Sequence, residues 1–298
     1  MSPIHIDPLT PTLSQREREQ GKNTPGHSID GAAPLFPPLP LAGEGWGEGD
    51  RPKLAYILRI ADSSLIHAQR LGQWCGHAPV LEEDIALTNI ALDHLGQARA
   101  LLTLAGQFEG AGRDEDAMAY LRIERDYFNV TMLELPNGDF ARTMLRGFLW
   151  SAFLGALWPT LASSNNVQLA AIAAKCAKET RYHQRHNAEW VRRLGDGTEE
   201  SHRRIAAALA ELWPYCAEWF TDDAVDSSAA AGGLGPAWSS LQGAWLAAVQ
   251  PVLDDARLAP PASSTFRSTG KSGRHSEHMG FLLAEMQALP RAFPGAVW

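Results

Sequence analysis

Residues 178–190 read KETRYHQRHNAEW, and the fold turns on which way this stretch faces. Glu179 and His183 are four apart, which places both on one face of a helix. Followed in both directions, Leu169, Ile172, Cys176, Glu179, His183, Asn187, Trp190 and Leu194 recur at steps of three and four. That period predicts a helix over about 166–194 whose apolar stripe points into a core and carries the glutamate and histidine with it. A buried ionised glutamate costs on the order of several kcal/mol unless something answers it. A metal ion is one answer. An arginine or a protonated histidine is another.

The helical period continues along the chain from Leu54. Leu54, Ile57, Leu58, Leu65 and Leu71 mark a first helix over about 54–74, with Gly76 and Pro79 as stop and turn. A second spans about 81–108, with Glu82, Glu83 and Asp84 in the first turn, where the helix dipole favours acids. A third is expected over 114–134, ending before Pro136-Asn137-Gly138, and a fourth over 139–163. The fifth stops at Leu194-Gly195, where glycine would supply a left-handed cap. Thr198 opens a sixth that reaches Phe220 through Pro214, the loop DSSAAAGGLG leads to a seventh from Pro236, and an eighth covers 277–291. Helices of about 25 residues would be about 37 Å long. The expected fold is all-α: a ferritin-like up-and-down helical bundle with additional C-terminal helices, over residues 54–298.

Composition narrows the function classes. Of 298 residues, 45 % are hydrophobic, which is ordinary for a chain with a sizeable core. The net charge is −8, split into −4 for residues 1–50 and −4 for the rest, so no basic face for nucleic acid is expected. Three widely spaced cysteines, Cys75, Cys176 and Cys216, read as reduced core thiols in a cytoplasmic protein rather than a disulfide framework. The sequence holds no long apolar run of membrane-span length and no signal-peptide pattern at its start.

Residues 1–50 hold eight of the nineteen prolines and seven of the 26 glycines. PLTPTLSQREREQG and PLFPPLPLAGEGWGEGD show no apolar period and cannot bury enough surface to offset ordering entropy. They resemble peptides translated from bacterial intergenic palindromic repeats. Residues 1–53 are therefore expected to be disordered, or to follow from a start codon assigned too far upstream, with Leu54 as an alternative start. A Pro-rich tail that recruits a partner is the rival expectation.

A carboxylate-bridged pair of irons in a helical bundle takes a Glu from each of two helices and a Glu-x-x-His from each of the other two. With the first, second, fourth and fifth helices as the bundle, the first offers only Asp62 and the fourth only Asp139 at its start. On the second, LDHLGQAR places Asp93 on the inner stripe but Gly96 three residues later. On the fifth, the step from Glu179 to His183 is four rather than three. Asp93, Glu179 and His183 are therefore expected to be remnants of a metal site, held in a buried network with Arg99 or Arg146. The alternative is a degenerate metal site that also draws on Glu124 or Asp126 from the third helix.

Four phrases carry a family resemblance: QWCGHAPVLEEDIALTNIALDHLGQAR, LPNGDFARTMLR, AKETRYHQRHNAEWVRRLGDGT and TGKSGRHSEHMGFLLAEMQ. They are similar to the C subunits of bacterial ring-1,2-phenylacetyl-CoA epoxidases, over about residue 54 to the C-terminus. The resemblance implies a ferritin-like subunit without catalytic residues or cofactor of its own. It also implies partners: a homologous catalytic oxygenase subunit holding the di-iron centre, a further small subunit, and a flavin/iron–sulfur reductase. Together they would place one oxygen atom on the ring of phenylacetyl-CoA in aerobic phenylacetate degradation. A metal-binding ferritin-like enzyme with a degenerate carboxylate/His site, and a free-standing helical adaptor, are the competing readings.

Two further motifs stand in the C-terminal region. TGKS at 269–272 lacks the upstream glycine of a phosphate loop, Thr265 standing in its place, and follows no strand. Lys271 and Arg274, with His275 and His278 from HSEH, are candidates for a subunit interface or for contact with CoA phosphates. No Gly-x-Ser-x-Gly elbow is present.

Overall fold

The computed structural model describes residues 50–262 and 264–296. The extension expected over 1–53 lies outside the described residues, apart from 50–53, which open the first helix. Among the described residues there are ten α-helices and no strand, only an isolated bridge between Thr269 and Arg274. The fold is all-α and ferritin-like, and no helix among the described residues is long and apolar enough to cross a membrane.

Four long helices form the bundle: α1 (Asp50–Gly72), α2 (Leu81–Glu109), α5 (Phe140–Leu161) and α6 (Val167–Gly195). α1 lies along α2 and α5 along α6, while a thinner seam between α2 and α6 closes the bundle. Short side-chain caps set the starts. Asp139 accepts from Arg142 N at the head of α5, and Asn166 accepts from Leu169 N at the head of α6. In the α1–α2 turn, Asp84 accepts from Gly76 N at 2.7 Å, and Cys75 is exposed there rather than in the core.

The expected third helix is broken. α3 covers Glu115–Tyr120, a 3₁₀ turn covers Glu124–Asp126, and α4 is the single turn Thr131–Glu134. Tertiary partners take the backbone groups that a helix would have used. Asp62 accepts from Phe128 N (2.9 Å), Ser63 Oγ from Val130 N (3.1 Å) and Glu218 from Thr131 N (3.1 Å). Arg122, fully buried, pairs with Asp62 and pins the segment to α1. Context outside the segment overrides its helical propensity.

Gly195 also differs from expectation. The helix ends on it without a left-handed turn, and Asp196 follows at φ −97°. The residue is glycine because a Cβ there would sit 2.3 Å from Ala256 O. α7 (Glu199–Leu212), capped by Thr198, tightens into a 3₁₀ turn at Trp213–Glu218 around Pro214. The small-residue stretch expected as a loop (226–235) instead supplies most of α8 (Ala224–Ala231), because Asp223 and Asp226 make a reciprocal capping box across its first turn. The helix expected from Pro236 begins as a 3₁₀ turn at Trp238–Leu241 and continues as α9 (Gln242–Asp255). α10 covers Glu277–Ala292, capped by Ser276.

The bundle core is aliphatic toward α1 and α2 and aromatic behind α5. Trp150, Trp219, Trp238 and Trp245 are fully buried around Phe153, which stacks on Trp150 at 5.2 Å. These four tryptophans are a packing device that ties α9 and the 3₁₀ turns to the bundle.

Candidate functional site

The α2–α6 seam brings Asp93, Glu179 and His183 to one place. The His183 Nε2–H donates to Asp93 Oδ2 at 2.9 Å, which leaves His183 Nδ1 as a buried acceptor without a partner among the described residues. Glu179 accepts from Gln97 Nε2 at 3.1 Å and lies 3.6 Å from Lys175. Neither expected arginine is its partner. Arg99 projects outward to Glu115 (3.0 Å). Arg146 donates to Leu135 O (2.7 Å) and to Asn137 Oδ1 in the turn before α5.

The inward positions are not the ones that the spacing of acids suggests. Asp93 stands at the rim, its side chain 40 % exposed, and Glu179 is 21 % exposed. One step along each helix, His94 and Gln97 on α2 are buried, as are Thr180 and His183 on α6. Each of these is an i, i+3 pair. His67 from α1 completes the interior set, its ring centroid 4.9 Å from that of His94, which in turn lies 5.0 Å from His183. His186 Nε2 lies 3.0 Å from Glu83 Oε2 at the next turn, at ion-pair distance without hydrogen-bond alignment.

The electrostatics favour neutral imidazoles. Burial pushes His67 well below its ordinary value, and the charges of His94, Arg146 and His183 push the same way. His94 is lowered by burial and then by His183. His183 is lowered as well, since burial outweighs the pull of Asp93 and Glu179 toward the charged form. Arg146 is brought down to about 9 by burial, with Arg142 and Arg70 adding to it. Cys176, at the edge of the cluster, is pushed up to about 12, chiefly by burial and then by Glu179, which makes it a thiol rather than a ligand thiolate.

His67, His94, Gln97 and Thr180 were not singled out by sequence. The signal was there in the periodicity: Leu87, Ile90, Ala91, His94, Ala98 and Leu101 follow one face of α2, with His94 inside it and Asp93 beside it. Glu124 and Asp126 are not on a bundle helix. Glu124 is exposed and lines a surface groove of about 330 Å³ against α10, with Gly280, Ala284 and Arg291.

The phrase from which the α6 stripe was read also lies inside a long sequence match. A family model described as "Phenylacetic acid catabolic protein" matches residues 46–298. The chain belongs to that family. A curated relative from Escherichia coli (strain K12), the C subunit of 1,2-phenylacetyl-CoA epoxidase, is 45 % identical over 244 residues, covering 82 % of this chain and 98 % of the relative.

In this member of the phenylacetic acid catabolic protein family the C-terminal loop is an internal strut. Lys271 is buried; its ammonium sits 3.0 Å from Asp226 and 5.4 Å from the centre of the Trp238 ring. Its carbonyl accepts from Arg59, which also pairs with Asp223 and Asp226. His275 is buried against Glu134 at 2.7 Å, with its second nitrogen 2.9 Å from Tyr127 O. Of the four residues considered for an outside contact, Arg274 is exposed and His278 half-buried, whereas Lys271 and His275 face inward.

Proposed function

We propose that this chain is the non-catalytic, shape-keeping subunit of a multicomponent phenylacetyl-CoA monooxygenase of aerobic phenylacetate breakdown. It pairs in the cytoplasm with a homologous catalytic subunit that carries the di-iron centre. A further small subunit and a flavin/iron–sulfur reductase complete the assembly. The likeness to the E. coli epoxidase component supports the pathway and the reaction class.

One observation carries the non-catalytic part. Where a bundle of this type needs Glu-x-x-His pairs, the inward pairs here are His94-x-x-Gln97 and Thr180-x-x-His183. The two nearby carboxylates stand one residue off, at the rim, engaged with His183, Gln97 and Lys175. Neutral amide, hydroxyl and imidazole groups, with the Arg146 guanidinium in the same interior, do not match the anionic donor set that two irons require. The residues do not fit that group. They fit a polar plug that keeps the four helices at bundle spacing without metal.

The test is iron per chain, measured on the isolated protein after anaerobic loading with ferrous iron, alongside turnover of the complex reconstituted with the catalytic subunit. Expected are no stoichiometric iron in this chain and unchanged turnover in Glu179→Gln. Stoichiometric iron that disappears in His183→Ala would overturn the proposal and make the chain a metalloenzyme in its own right.

A further inference from the structure

The aromatic cluster behind α5 does more than fill volume. Buried indole N–H groups ordinarily find an acceptor. Those of Trp150, Trp219 and Trp238 have none among the described residues, and that of Trp245 meets only the Leu149 carbonyl at 3.0 Å. Phenylalanine would fill much of the same space without leaving a polar group unpaired, so packing alone does not require indoles here. An indole has what a phenyl ring lacks: it gives up one electron to a strong oxidant.

The rings also form a continuous path. Between ring centres, Trp238 lies 4.9 Å from Phe153, which lies 5.2 Å from Trp150 and 5.5 Å from Trp219. Trp150 and Trp219 are 5.5 Å apart, Trp219 and Trp245 6.0 Å, and Trp245 and Trp213 5.3 Å. At such spacings neighbouring π systems are in contact, and an electron vacancy passes by short tunnelling steps, with Phe153 as the bridge out of Trp238. Solvation sets the direction. Trp150, Trp219, Trp238 and Trp245 are at most 2 % exposed, whereas Trp213 is half-buried. A cation radical in the apolar interior is costly and finds no base for its proton, while at Trp213 water both solvates the charge and takes the proton.

We propose that this cluster is a hole-transfer path that carries one-electron oxidising equivalents from Trp238 to the surface at Trp213. A strong one-electron oxidant gains an electron from the Trp238 indole. The vacancy is refilled across Phe153 from Trp150 or Trp219, then from Trp245, then from Trp213. Trp213 ends as a neutral radical that has released its indole proton to water, and the interior indoles are restored with their N–H bonds intact. In a complex that activates dioxygen, such a path drains oxidising equivalents that miss the substrate. That use, unlike the path itself, rests on the reading of the chain as an oxygenase subunit.

The experiment uses the full chain with Cys75→Ser, which removes the exposed thiol, and Ser240→Cys, which carries a ruthenium polypyridyl label beside Trp238 in the 3₁₀ turn. A laser flash with an external electron acceptor generates ruthenium(III) at the label. Transient absorption follows the tryptophan radical, and peptide mass spectrometry locates the oxidised residue. Trp245→Phe breaks the path, and Trp158→Phe, a buried indole outside the set, is the control. Circular dichroism and Tm verify folding. Expected is oxidation at Trp213, lost to the level of unlabelled protein in Trp245→Phe and retained in Trp158→Phe. Oxidation that stays at Trp238, or that reaches Trp213 equally well in Trp245→Phe, overturns the path. Should Trp245→Phe not fold, Trp213→Phe at the half-buried end serves instead, and a neutral radical that persists in it overturns the path. In the complex reconstituted with the catalytic subunit, Trp245→Phe is expected to inactivate after fewer turnovers at an unchanged initial rate. Equal numbers of turnovers overturn the draining role alone. If no complex forms, the oxygenase reading fails and the draining role with it, while the labelled chain still decides the path.

Discussion

His183 on α6 donates to Asp93 on α2 across 2.9 Å, and this bond crosses a seam that packs less extensively than α1 on α2 or α5 on α6. A partner that is buried on one side and rim-exposed on the other makes an asymmetric pair. Removing the imidazole leaves a cavity in the core and an unanswered gap among His94, Thr180 and Gln97. Removing only the charge of Asp93 keeps an acceptor in place. His183→Ala is therefore expected to cost about 2–4 kcal/mol. At about 2–4 °C per kcal/mol for a domain of this size, that lowers Tm by roughly 4–16 °C. Asp93→Asn is expected to cost less than about 1 kcal/mol. Differential scanning calorimetry separates the two, and equal losses would show that the charge of Asp93 matters more than the packing of His183.

The interior histidines should make the fold acid-sensitive. His67, His94 and His183 all have pKa values below the ordinary 6.5 in the folded state, chiefly through burial. A depressed folded value means that the unfolded chain binds more protons between the two pKa values, so stability is full above about 6.5 and falls as the pH drops below it. Each fully neutral histidine adds about 1.4 kcal/mol of loss per pH unit in that window. Denaturant midpoints measured from pH 7.5 down to 5.0 should fall steeply. His94→Gln should flatten the slope by about one proton; an unchanged slope would mean that His94 is not neutral in the fold.

His275 is the counterweight. Burial alone would lower its pKa, but the Glu134 carboxylate, the Tyr127 carbonyl and the charge of Asp62 together raise it above the ordinary value. A raised folded pKa contributes stability that is complete below the unfolded value and is lost as the pH rises through the folded one. The His275–Glu134 pair is fully buried, so His275→Ala removes the carboxylate's only cationic partner among the described residues, leaves it to the Asn129 amide and the Ser276 N–H, and is expected to cost about 3 kcal/mol at pH 6. The same variant should lose less at pH 9, where the wild-type imidazole is closer to neutral. A loss independent of pH would show the pair to be neutral throughout.

Much of this arrangement was legible in the sequence, and the failures have physical causes. The four bundle helices followed from apolar patterning: α2 and α6 bury one face each, whereas α1 and α5 are buried nearly all round and read as dense apolar runs. Residues 114–134 looked helical by local preference, yet Asp62, Ser63 and Glu218, distant in sequence, capture the backbone at Phe128, Val130 and Thr131. The loop before Leu234 hid α8 because its stability comes from the Asp223–Asp226 box and from Arg59 rather than from an apolar stripe. At the candidate site, acids drew attention to Asp93 and Glu179, although a shift of one residue on a helix moves a side chain about 100° and turns inside to rim. The polar plug is built from histidine, glutamine and threonine, residue types that carry little signal one at a time.

Lys271 gives the clearest separation between a structural and a ligand-binding role. In sequence it sits in a glycine-containing loop as a basic residue suited to an acyl-CoA phosphate. In the fold its ammonium is held by Asp226 under Trp238, its amide donates to Glu218 at 2.8 Å, and its carbonyl receives Arg59. Lys271→Ala leaves Asp226 paired with Arg59 alone in a buried setting and is expected to cost about 3–5 kcal/mol, or roughly 6–20 °C in Tm. Arg274→Ala, on the exposed side of the same loop, should change Tm by no more than about 2 °C. Acyl-CoA affinity of the reconstituted complex, titrated by calorimetry below the Tm of each variant, should be unchanged by Lys271→Ala. Weaker acyl-CoA binding with an unchanged Tm would reverse the assignment, because a strut cannot be removed without loosening the fold that it holds.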